Sequence, residues 1–148
     1  MEELTKSIAN KYNKVYAAEA VVNGQISWYK KKKDFANIAK YKVKRYQLVG
    51  IDTAGIGRFY LNNDLFESVF KHSTNKGELL EAAGWMKIIA ENYPKDAESI
   101  DTYANLLYKA GKTTDAIAWE EKAAELQPKS KELQDTYAKM KAGLPTWQ

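Results

Sequence analysis

The sequence predicts an all-α protein built from stacked helix pairs, about seven helices in total, and three observations carry that prediction. The chain matches itself at an offset of 34 residues, apolar residues recur at helical spacing, and no segment alternates as a half-buried strand would. DTYA at Asp101–Ala104 returns at Asp135–Ala138. At the same offset Gly77 falls on Gly111, Ala82 on Ala116, Trp85 on Trp119, Ala90 on Ala124, Glu91 on Glu125, Pro94 on Pro128 and Lys95 on Lys129. A helix pair of this length cannot bury its apolar face alone, so it must stack on a neighbour.

In chain order, Leu4, Ile8, Tyr12, Val15, Ala18 and Val22 mark a first helix, with a break expected at the NGQ that follows Val22. ISWYKKKK reads as a helix start or an extended connection. Phe35, Ile38, Ala39, Tyr46 and Val49 mark a second helix beginning near Asp34. GIDTAGIG, with three glycines, reads as a loop, and a third helix is expected from about Arg58 to Lys71. Trp85 lies on the next helix, as a packing residue. Ile100, Tyr103, Leu106 and Leu107 form the stripe of the following helix, which Asp96 or Ser99 can cap and Gly111 closes. Ala116, Ile117, Trp119, Ala123, Ala124 and Leu126 continue on a second member of the pair, with Thr114 as N-cap and Pro128 as the stop. Leu133, Tyr137, Ala138 and Met140 then mark a closing helix. The organisation expected is a single domain over residues 1–148. Its parts are N-terminal helices in 1–57, a looser pair in 58–96, a better pair in 97–130 and a capping helix in 131–142.

The second pair resembles the tetratricopeptide repeat. Gly111, Ala116, Ala123 and Pro128 stand at the family's small-residue and Pro positions, with Tyr103 and Ala104 at the large and small positions of the first helix. Glu120 stands where an aromatic is common, and in the earlier copy Phe70 replaces the small residue. The resemblance implies a right-handed superhelix whose first helices line a concave groove. Residues 60–128, from LNNDLFESVF onward, are also similar to the C-terminal helical region of certain bacterial thioredoxin-like proteins. That likeness would imply an extracytoplasmic, periplasmic setting if the chain is a piece of such a protein. The redox pair of those proteins has no counterpart here, because the chain contains no cysteine.

Composition narrows the chemistry. Without cysteine there are no disulfides, thiolate metal ligands or cysteine nucleophiles. No apolar run is long enough to span a bilayer. His72, the single histidine, sits near a helix end where a cationic ring meets the helix dipole favourably. No acidic segment has metal-loop spacing, and TAGIGRF lacks the Lys-Ser/Thr of a phosphate loop. Glu120 and Glu121 are expected to face solvent. No catalytic set emerges, and no cofactor or metal is expected.

Two binding readings remain. Charge is uneven: residues 1–75 carry a net +6 and residues 76–148 a net −2. Lys30–Lys33, Lys40, Lys42, Lys44 and Arg45 lie among Trp28, Tyr29, Phe35 and Tyr41, a mixture that can track phosphates and stack bases. By the repeat resemblance, the groove-facing positions are Asp64, Glu67 and Lys71, then Glu98, Asp101 and Asn105, then Glu132, Asp135 and Lys139. Six of these nine are carboxylates, so the expected partner is a protein or peptide of basic character, ahead of a nucleic acid. The same acids lie in early helical turns, where the dipole alone favours them.

Overall fold

In the computed structural model the backbone is described for residues 2–147, and side chains for all of these except residues 2–9 and Tyr12. Leu4, Ile8 and Tyr12 therefore lie outside the described side chains. The described residues form seven helices and no strand. They are α1 (Glu2–Lys32), α2 (Phe35–Val49), α3 (Gly55–Asp64, continued by a π-helical turn Leu65–Phe70), α4 (Lys76–Asn92), α5 (Ala97–Lys109), α6 (Thr113–Leu126) and α7 (Lys131–Lys141). Short links make consecutive helices neighbours: α1 packs on α2, α4 on α5, α5 on α6, and α6 on α7. The π turn of α3 meets α2, α4 and α5 and joins the two halves. No described helix is long and apolar enough to cross a membrane.

One apolar cluster runs from Val43 to Met140, with Leu65, Leu79, Met86, Ile89, Ile100 and Leu106 at its centre. Ala82 and Ala116, matched by the repeat, are both fully buried, and so are Ala104 and Ala123. Trp85 and Trp119 pack against this cluster, each edge-on to a tyrosine, Tyr46 and Tyr103, at 5.6 and 5.2 Å. They are packing residues, as expected.

Four local expectations need correction. The first helix does not break after Val22 but runs through Gly24 to Lys32. Ile26, buried against α2, and the stack of Tyr29 on Tyr41 at 5.4 Å extend it past a residue of poor helical propensity. α1 ends instead at Lys33, whose φ of 55° is left-handed, with Asp34 N–H reaching back to the Tyr29 carbonyl. The third helix starts earlier, at Gly55, so the loop shortens to Gly50–Ala54, and its last turn is π rather than α. The α6 N-cap is Lys112, not Thr114, and no side chain caps it. Asp34 and Asp96 cap α2 and α5 through Asn37 and Ser99 N–H groups.

Candidate functional site

Two adjoining cavities run along the face shared by α3, α5 and α7. The larger, of about 650 Å³, is floored by Phe59, Tyr93, Pro94 and Ala97. Arg58, Lys95 and Asp96 line it too, and Arg58 pairs with Asp96 and lies 4.0 and 4.1 Å from the centres of the Phe59 and Tyr93 rings. The smaller, of about 270 Å³, is walled by Asn62, Asn63 and Phe66 from α3 and by Glu98, Asp101 and Glu132 opposite. Glu98 and Gln127 line both, so the cavities form one groove: Glu98, Asp101 and Glu132 gather at one end, and at the other the Phe59 and Tyr93 rings lie among Arg58, Lys95 and Asp96.

The acids of this groove are not needed as caps. Asp96 caps α5 and Ser130 caps α7, through the Ser99 and Leu133 N–H groups. Glu98 and Glu132 sit two residues after the caps, in the first turn of each helix, and among the described residues neither has a cationic partner within ion-pair distance.

Behind the acidic cavity lies a carboxyl pair. Glu120 of α6 is completely buried, which corrects the expectation that it faces solvent. It follows Ala116 by four residues and precedes Ala123 by three, so it lies inside the buried stripe of its helix. Its carboxyl faces Asp101, whose own carboxylate accepts from Asn105 Nδ2 at 2.9 Å. Burial pushes Glu120 up to about 9, and the neighbouring Asp101 charge and bond push the same way. Burial also raises Asp101, to about 7, opposed by hydrogen bonds from Glu120 and Asn105 and supported by the charges of Glu132 and Glu98. Burial and the adjacent Asp101 carboxylate thus both favour the neutral form of Glu120. Only Asp101 lines the cavity, so the pair does not present two carboxyls to one substrate in the manner of an acid–base dyad.

The predicted groove residues separate into four groups. Glu98, Asp101 and Glu132 converge on the acidic cavity, and Asn105, 3% exposed, orients Asp101 from below. Asp64 turns to α2, where it pairs with Lys42 and accepts from the Tyr46 hydroxyl at 2.7 Å. Glu67 and Lys71 form an exposed ion pair at 2.8 Å within one helical turn. Asp135 and Lys139 are exposed on α7 and line neither cavity. A π turn holds an extra residue per turn, so it breaks the phase that a strict 34-residue register carries onto α3.

Other singled-out residues find plain places. His72 stacks on Phe35 at 4.6 Å. Trp147 lies against Tyr108 at 6.1 Å and under the Lys109 ammonium. On the basic face, Lys40 and Lys44 lie over Tyr41 and Lys32 over Trp28, which remains 59% exposed. Among the described residues no group of three or more potential ligands is arranged to hold a metal ion. Sequence reasoning missed the Arg58–Phe59–Tyr93 end of the groove, because those residues come from two helices brought together only by folding. No protein-family model matches the chain, and no curated protein is significantly similar to it.

Proposed function

We propose that the chain is a non-catalytic binding module that holds a stretch of partner polypeptide, basic in character, in the groove between α3, α5 and α7. One observation carries this reading: Glu98, Asp101 and Glu132, from two helices, converge without an ion-pair partner on a cavity continuous with a larger one that holds the Phe59 and Tyr93 rings. Uncompensated carboxylates facing one cleft attract a cationic ligand and repel an acidic one. Phe59, Tyr93 and Pro94 in the larger cavity supply contact area that charge alone does not. The tetratricopeptide resemblance, with its groove-lining first helices, supports the same face.

Selection from a random-peptide display library tests it. Peptides pairing Arg or Lys with an apolar residue should be enriched on the wild type. They should lose about tenfold or more in affinity for the double variant Glu98→Lys/Glu132→Lys. Enrichment of acidic peptides, or equal binding to the variant, would contradict the reading. A second reading, nucleic-acid binding, rests on exposed Trp28 and the Tyr29–Tyr41 stack among lysines. It requires binding of single-stranded oligonucleotides that weakens steeply with salt.

A further inference from the structure

The first helix outruns the helix it packs on. α1 has 31 residues, about 46 Å of helix, and α2 has 15, about 22 Å. Among the described residues α1 packs extensively on α2 and on no other helix. The two run antiparallel, since only Lys33 and Asp34 join them. Tyr29 stacks on Tyr41, Glu19 pairs with Arg45 at 3.3 Å, and α2 ends about one turn after Arg45, at Val49. Residues 2–14 of α1 therefore extend beyond α2, and there Asn10, Lys11, Asn13 and Lys14 are exposed. This free stretch carries the packed face onward. Leu4 and Ile8 precede Val22 and Ile26 by 18 residues, five turns at about 3.6 residues each, so their positions share one face. Ile26 is buried against α2, and Val22 is half-buried. Spacing puts Tyr12 and Val15 on the same stripe, which spans about 80° of the helix from Leu4 to Val15. An apolar stripe that continues an interface past the end of its partner marks an association surface.

We infer that a second copy of the chain covers this stripe, the two α1 helices pairing antiparallel about Ile8. The lengths fit, because the free stretch of residues 2–14 is centred on Ile8. The second copy's free stretch thus fills it from end to end and stops where α2 begins. The stripe is also its own complement: in this register Leu4 falls opposite Tyr12, and Ile8 opposite Ile8 of the second copy. Charge fits as well. Glu3, Lys11 and Lys14 lie within about 80° on one flank of the helix, and a two-fold axis sets that flank against itself. Glu3 then falls between Lys11 and Lys14 of the second copy, and the contact occurs twice. A parallel pair does not fit, because α2 occupies the continuation of the same face on each copy and the two α2 helices would collide. The groove between α3, α5 and α7 takes no lining residue from α1, so peptide binding there does not depend on the pairing.

Analytical ultracentrifugation of the full chain, joined to cysteine cross-linking, tests this. The wild type should show a reversible monomer–dimer equilibrium. Ile8→Glu sets two carboxylates against each other at the centre of the pairing and should weaken the dimer at least about a hundredfold. Position 8 lies outside the apolar cluster that holds the fold, so the thermal melt of that variant should match the wild-type monomer. Glu3→Lys, which meets two lysines of the second copy, should weaken the dimer about fivefold or more. The chain has no cysteine, so single cysteines report the direction of pairing. Under mild oxidation an equal mixture of Glu3→Cys and Lys14→Cys should give the mixed disulfide dimer. Lys14→Cys alone, held about 18 Å from its counterpart, should not link to itself. A chain that stays monomeric up to about 1 mM overturns the inference. So does a dimer that survives Ile8→Glu, or one in which Lys14→Cys links to itself.

Discussion

At the scale of single residues, Glu120 is the most informative side chain. Both it and Asp101 bind their protons more tightly folded than unfolded, with values raised to about 9 and about 7. Their contribution to stability is therefore complete below the unfolded carboxylate range, near pH 4, and falls away as pH rises through 7 towards 9. Denaturant melts should show the protein more stable at pH 5 than at pH 9, with a difference on the order of several kcal/mol traceable to the pair. Glu120→Gln keeps the shape and the donor but removes the ionisation. It should be more stable than wild type at pH 9 by about 1–3 kcal/mol and nearly equal to it at pH 5. A variant less stable than wild type at pH 9 would sink the assignment of a buried neutral acid. The sequence held this signal in the spacing of Glu120 from Ala116 and Ala123. A carboxylate beside another carboxylate, Glu121, reads as solvated surface unless that stripe is given priority. What sequence could not supply is Asp101, 19 positions away, as the partner that keeps the proton.

At the scale of elements, the helix ends explain where prediction worked and where it failed. Gly111 and Gly143 close α5 and α7 with φ of 84° and 70°, and the residues after them reach back to the Leu107 and Lys139 carbonyls. The same motif closes α1, but with Lys33 at the left-handed position. A lysine there gives no sequence signal of termination, so the sequence places the end of α1 at Asn23–Gly24 instead. Lys33→Gly should raise stability by about 1 kcal/mol, because glycine takes that conformation without the Cβ penalty. Unchanged or lower stability in thermal melts would show that Lys33 is not strained. Between α5 and α6 the small residues set the approach: Ala116 and Ala123 are fully buried, so leucine at either should cost about 1–3 kcal/mol by overpacking. Wild-type-like unfolding of both variants would refute that packing. The repeat was legible because Ala82/Ala116 and Trp85/Trp119 do the same work in both copies. The π turn at Leu65–Phe70 was not, since Leu65, Val69 and Phe70 also fit an ordinary helical stripe.

At the scale of the whole molecule, charge and shape divide the labour. The basic half is largely α1 and α2, where lysines lie over their own neighbours' rings. The acidic face belongs to α5 and α7, and it is there that carboxylates gather without counter-charges. Of the residues that repeat geometry names on those two helices, Glu98, Asp101 and Glu132 line the acidic cavity, while Asp135 and Lys139 line neither. That geometry failed on α3, where Asp64 and Glu67 are already engaged by Lys42, Tyr46 and Lys71. The Phe59–Tyr93 end of the groove escaped it, because those rings meet only after α3 folds beside α4. The central claim is that a basic polypeptide lies in the α3–α5–α7 groove, and mapping contacts directly tests it. A display-selected peptide carrying a photo-crosslinker beside its basic residue should label the protein, with mass spectrometry placing the adducts around Tyr93–Asp101 and Gln127–Leu133. Adducts concentrated instead on Trp28–Arg45 would contradict the claim and move the binding surface to the basic helices.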